Sequence, residues 1–258
     1  MPIRLFLTGL ICWSACALAG PPTTQPQQLT PASTLDKILD ALDARGKNLQ
    51  DFSASVRLSS VDNSIGSSSA ETGKVFYQRH PGGDARIRVT FEKFDDGNKI
   101  IPQNHQYTLD AGWLVERNYD RKQEIRRQVL KPGEKMDPLK LGEGPFPLPI
   151  GQKKEDVKNL FSVARIAPAQ DDPPDTLHVQ LTPKPGTSLA RKFQTIDVWV
   201  DMVNTMPRRI QTQENGSPIT KITDLTDIQI NSGLEDKDFA EPDLPAGWGT
   251  ISESYNGG

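Results

Sequence analysis

The sequence predicts a mainly β domain of the α+β class, built as one large curved antiparallel sheet or barrel of about ten or eleven strands. Three observations predict it. Beyond residue 50, apolar and polar residues alternate with a period of two through most of the chain, the signature of strands wet on one face. Turn signals separate these runs, at Pro81-Gly82-Gly83, Asp96-Gly97, Ala111-Gly112 and Asn215-Gly216. Helical spacing is confined to two short segments, and so many sequentially neighbouring strands favour one continuous meander over two sandwiches.

The chain opens on a secretory signal over residues 1–19. Arg4 supplies the positive start, Leu5 to Ala15 an apolar core too short to span a membrane, and Ala17-Leu18-Ala19 a small-x-small cleavage site. The mature protein is expected to begin at Gly20. Ser14-Ala15-Cys16 also resembles the end of a lipoprotein signal, but Trp13 stands where that pattern wants an aliphatic residue, so soluble export is favoured over lipidation at Cys16. Both cysteines, Cys12 and Cys16, lie in this segment. Ordinary cleavage leaves no disulfide, thiol nucleophile or thiolate metal site.

Residues 20–33, rich in Pro, Gln and Thr, read as a flexible tether. Residues 34–250 are expected to form one domain, and 251–258 a disordered tail. Ser33 or Thr34 is a suitable N-cap for an amphipathic helix with Leu35, Ile38, Leu39 and Leu42 on one stripe and Gly46 as its stop. Strands follow. Phe52, Ala54, Val56 and Leu58 alternate with Ser53, Ser55, Arg57 and Ser59, and similar runs cover Lys74 to Arg79, Ala85 to Phe91 and Gln106 to Asp110. Further strands are expected over Trp113 to Asn118, Gln123 to Leu130, Thr176 to Thr182, Phe193 to Asp201, Arg208 to Glu214 and Ile219 to Ile230. Met136 to Gly151, apolar and rich in Pro and Gly, interrupts them and cannot form a regular strand; Lys153 to Phe161 then reads as a short helix.

Little in this chain points to catalysis. Its formal charge of −3 becomes −4 once Arg4 is removed, a poor start for a nucleic-acid binder. The three histidines, His80, His105 and His178, have no metal-ligand spacing, and the common nucleophile, phosphate-loop and zinc motifs are absent. The pairs Asp95-Asp96, Asp171-Asp172 and Glu235-Asp236 sit in turn-like stretches rather than across a cleft. Arg121-Lys122, Arg126-Arg127 and Lys131, interrupted by Glu124 and Glu134, read as a charged strand face or a docking surface for an acidic partner.

The order of several short motifs resembles a known family. An N-terminal helix is followed by Asp51-Phe52-Ser53-Ala54, then Gly73-Lys74-Val75-Phe76-Tyr77-Gln78-Arg79-His80-Pro81, then Asp110-Ala111-Gly112-Trp113-Leu114. Later come Ile196 to Asp201, Pro207-Arg208-Arg209-Ile210, Phe239-Ala240-Glu241-Pro242 and Pro245-Ala246-Gly247. In this order the chain resembles the periplasmic lipoprotein carriers of the LolA/LolB type from about Leu35 to Trp248. It departs from them by His80 between the Arg and the Pro, by a long serine-rich loop over Ser59 to Ala70, and by the polar excursion Asp171 to Asp175.

The resemblance implies an incomplete antiparallel β-barrel whose open side helices cover, with an apolar cavity between. Strand parity puts Val75, Tyr77 and Arg79 on one face, with Phe52, Val56, Ile87, Val89 and Phe91 as candidates for the same interior. An ordinary packed core would show the same parity; the resemblance favours a cavity. Trp113 is added to this lining, and Leu141, Phe146, Leu148 and Ile150 to the lid above it. By resemblance, Arg79 latches the lid, with acceptors expected among Gly142 to Gly151. The implied activity is non-enzymatic carriage of acylated lipoproteins or other lipids through the periplasm by a monomer without metal or organic cofactor. An inner-membrane donor complex, an outer-membrane acceptor and no nucleic acid complete the expected partners. A sensor or lipid-anchored receptor acting through a protein partner, and an enzyme on the same scaffold, are the alternatives.

Overall fold

The structure, a computed structural model, describes residues 28–131, 133–134, 139 and 150–255. The expected signal sequence, Cys16 and the lid residues Leu141, Phe146 and Leu148 lie outside the described residues.

Helix α1 (Leu35–Asn48) starts where the Thr34 side chain accepts a hydrogen bond from Lys37 N, and carries Asp36 in its first turn and Arg45 and Lys47 in its last, complementing the helix dipole. Gly46 does not stop it. The helix runs two residues further, and Gly46 is there because a Cβ would collide with the backbone of Gly151.

Six strands follow: β1 (Asp51–Asp62), β2 (Ser67–Arg79), β3 (Ala85–Asp95), β4 (Ile100–Asp110), β5 (Trp113–Asn118) and β6 (Gln123–Gln128). After α2 (Lys154–Leu160) come β7 (Phe161–Arg165), β8 (Thr176–Pro183), the short α3 (Ser188–Lys192), β9 (Phe193–Asp201), β10 (Pro207–Glu214) and β11 (Ile219–Ile230). A 3₁₀ turn at Asp236–Asp238 leads to β12 (Gly249–Glu253). These strands lie in one sheet of order β12-β6-β5-β4-β3-β2-β1-β11-β10-β9-β8-β7, which curves without closing. Its bends have local causes: Glu92 is an extra residue opposite Thr72 and Gly73, and β11 bulges around Asp227, whose φ is +52°.

Four expectations need correction. Among the described residues there are twelve strands rather than ten or eleven, and β12 pairs parallel to β6, so the sheet is not wholly antiparallel. Gly249 to Glu253 is a strand, so the expected disordered tail does not begin at 251. The serine-rich stretch from Ser59 to Ala70 is no loop; it forms the outer end of a long hairpin whose register runs from Asp51↔Gln78 to Asp62↔Ser67, because strand pairing satisfies its backbone without demanding apolar side chains. The tether also ends early: Leu29 is buried and donates its N–H to Met202 O, and Arg165 donates to the carbonyls of Pro31 and Ser33.

The core lies between the concave face of the sheet and α1. Ile38, Leu39 and Leu49 meet Phe52, Tyr77, Ile87, Val198, Ile210 and Leu225, all nearly inaccessible to solvent. Each large apolar side chain removed from water in this way contributes about 1.5–3 kcal/mol. Among the described residues, no helix is long and apolar enough to cross a membrane.

Candidate ligand cavity under the helical roof

Register places the expected cavity residues in continuous rows. Phe52 faces Tyr77, which faces Ile87, which faces Leu109; Ala54, Val75, Val89 and Tyr107 form the next row. Phe52 and Tyr77 stack with centroids 5.5 Å apart, and Phe91 meets Tyr107 edge-on at 6.2 Å. Phe52, Val56, Val75, Tyr77, Ile87, Val89 and Phe91 thus share one face, and all are buried. They pack as a dense wall against α1.

Trp113 belongs elsewhere. It pairs with Asp110 and shares its face with Val115 and Arg117, the side of the sheet turned away from α1. Its neighbour Leu114, opposite Leu109, is the inward residue, because successive side chains of a strand point to opposite faces. Ile150, the one described member of the expected lid, is buried in the core.

Arg79 caps the β2 row. Its Nη1 donates to the carbonyl of Gly46 at 2.9 Å, and its backbone N–H to Gln50 O at 2.7 Å. One acceptor is thus in α1; of the expected segment Gly142 to Gly151, residues 142–149 lie outside the described residues, and Gly151, at φ +77°, touches Gly46 and brings the end of that segment to the same point. A polar vestibule of about 280 Å³ opens here, lined by Asp43, Lys47, Arg79, Lys153 and Asp156.

Among the described residues, an apolar gap lies on the other half of the sheet. Leu39 and Leu42 of α1, Val157 of α2, Val179 and Leu181 of β8 and Val198 of β9 line a slot of about 20 Å³, space for roughly one water-sized sphere. The sequence does not single these residues out as a site. Their signal is present in the α1 stripe and in the alternation of β8 and β9, but period alone does not say where two packed layers leave room.

Exposed ion pairs stitch the roof over this slot. Lys154 of α2 reaches Asp40 at 2.7 Å and Asp36 at 3.3 Å, and Lys158 reaches Asp36 at 2.5 Å. Hydrogen bonds from Lys158 and then Lys154 hold the Asp36 carboxyl below its ordinary value, while Asp40 raises Lys154 above its own. On the concave wall, burial and then the charge of Glu116 push the Tyr107 phenol up to about 12, so it stays neutral. Beyond it the lining turns polar, with Glu116 bridging Arg127 at 3.5 Å. The site is a mainly apolar slot whose lining also includes Gln152 and Lys154 of the clasp.

No family model and no curated protein matches the chain. In fold it is similar to several solved structures. An uncharacterized conserved protein of Thermus thermophilus aligns at 10% identity over 84% of this chain and 98% of its own, with a TM-score of 0.47. An outer membrane lipoprotein-sorting protein domain of Vibrio parahaemolyticus aligns at 11% identity over 79% and 94%, with a TM-score of 0.39. A LolA superfamily protein of Nitrosomonas europaea aligns at 12% identity over 81% and 99%, with a TM-score of 0.33.

Proposed function

We propose that this protein is a non-enzymatic carrier that takes acyl chains of lipoproteins or other lipids between α1, α2 and the concave sheet, for transfer through the periplasm toward the outer membrane. The observation that carries this reading is the roof: two helices lie over an apolar wall, leave a slot between them, and are joined across their outer side by exposed ion pairs. Such pairs are individually weak, because solvent and salt screen them and two long side chains must be held still. Burial of an acyl chain is worth about 0.8 kcal/mol per CH₂. A chain of several carbons outweighs the clasp, so cargo can open the roof and a better acceptor can remove it.

The slot as it stands admits no acyl chain, so binding requires α1 and α2 to part. The test uses the full chain purified from an envelope, with lipid extraction and mass spectrometry, and titration with a dansyl-labelled fatty acid. Val179→Trp, which fills the slot, is expected to reduce uptake about tenfold, and Lys154→Ala to increase it. Absence of extracted lipid together with no uptake by any variant would exclude the carrier reading. A dry slot in a protein that isolates with a stable protein partner would favour the sensor.

A further inference from the structure

The convex face of β3 to β6 is crossed by the chain's own C-terminal segment, and the contact is made by arginines. Arg86 donates to Asp236 Oδ1 at 2.5 Å and lies 4.1 Å over the ring of Phe239. Arg88 Nη1 donates to the carbonyls of Asp238 and Ala240, each at 3.2 Å. Arg117 donates to the carbonyl of Pro242 at 2.7 Å and bridges Glu241 at 3.5 Å, and Arg126 reaches Glu241 at 4.0 Å. Residues 235–243, EDKDFAEPD, carry five acids and one lysine. An acidic strap, turned once at Asp236–Asp238, thus lies on a seat of arginines that also holds the buried Glu124, anchored by the buried Phe239 and, further along, by Trp248 edge-on to Tyr119 at 5.1 Å.

The strap fills this seat incompletely. Arg88 Nε and Glu241 Oε1 are both buried, and neither has a hydrogen-bond partner among the described residues. A buried guanidinium N–H without an acceptor carries an uncompensated desolvation cost. Burial holds Arg88 below its ordinary pKa, although Tyr119 and Glu241 work against that shift. The strap then ends in β12, a five-residue edge strand exposed along its whole length. Its entry at Asn231 and Gly233 uses left-handed backbone, φ +52° and +80°, a ready point for a change of direction.

We propose that this arginine face is a docking surface for an acidic, extended segment of a partner protein, and that residues 234–253 are a self-ligand which such a segment displaces. A partner carboxylate set against Arg88 Nε would satisfy the donor that the strap leaves open, while backbone carbonyls along the same path replace those of Asp238, Ala240 and Pro242. The surface lies on the side of the sheet opposite the slot, so it goes beyond the carrier reading and stands or falls apart from it.

The probe is a fluorescein-labelled peptide of residues 234–248, LEDKDFAEPDLPAGW, titrated by anisotropy into the full chain, with hydrogen exchange of residues 234–253 followed in parallel. In Phe239→Ala the strap loses the anchor at its acidic end and the open seat is more populated, so the peptide should bind at least about tenfold tighter than to the unaltered chain. Adding Arg88→Gln should remove that gain, as should a peptide with amides in place of its carboxylates. If Phe239→Ala does not fold, Asp236→Asn with Glu241→Gln serves as the loosened variant. Faster exchange without tighter binding overturns the proposal, and so does a strap that stays protected in every folded variant. Equal displacement of the peptide by heparin or by phosphatidylglycerol vesicles overturns it too, since the face would then recognise polyanions in general.

Discussion

Arg79 shows how one side chain can join three elements. It ends an inward row of β2, donates to the carbonyl of Gly46 in α1, and does so where Gly46 and Gly151 touch. A hydrogen bond from a charged donor contributes about 1.5–3 kcal/mol, so Arg79→Leu should lower Tm by roughly 3–12 °C in a domain of this size and raise fatty-acid uptake. Unchanged melting and uptake would make Arg79 a rim residue with no hold on the roof. The Arg79 position can be read from the sequence, because it follows Val75 and Tyr77 in strict alternation. Its acceptor in α1 cannot, since nothing local says that the end of a helix thirty-three residues earlier returns to this point. Trp113 misleads for a different reason. Its motif suggests an inward aromatic, whereas the pairing Leu109↔Leu114 turns its smaller neighbour toward the core.

At the scale of elements, the roof is a clasp with a defined pH range. Asp36 has a folded pKa below its ordinary 3.8, so its contribution is complete above that value and is lost as pH falls through the lowered one. Lys154 has a folded pKa above its ordinary 10.5, so its contribution is complete below that value and is lost as pH rises through the raised one. Between these limits the α1–α2 clasp is intact. Fatty-acid uptake should be flat from about pH 5 to 9 and rise below about pH 4. Equal uptake at about pH 3 and about pH 7 would show that something other than these pairs closes the roof. The helices themselves are legible: the stripe Leu35, Ile38, Leu39 and Leu42 and the short run before Phe161 fall where α1 and α2 are. Strand β12 is not, because GTISE has no apolar alternation and gains its place only by pairing with β6, more than a hundred residues away.

For the whole molecule, alternation defines the buried face well. Phe52, Val75, Tyr77, Ile87 and Val89 are inward as their spacing requires. The convex face is less readable, because a strand's polar side looks solvated in sequence even where Arg117 and Glu124 are almost wholly buried beneath another segment. Neither alternation nor motif order contains the crossing of the strap. It is a long-range contact between a charged strand face and a Pro-rich stretch, and each on its own reads as surface.

The sheet order has a topological consequence. Strands β1 to β6 occupy consecutive positions, flanked by β11 on one side and β12 on the other. Everything after residue 150 therefore embraces everything before 131 like a pair of tongs, gripping it through the long β1–β11 ladder and again through β6–β12. Peptide continuity between the two halves is not what keeps them together. Two separately encoded fragments divided between residues 140 and 149 should copurify and melt as one cooperative unit; elution as separate species would show that the grip is too weak to act alone.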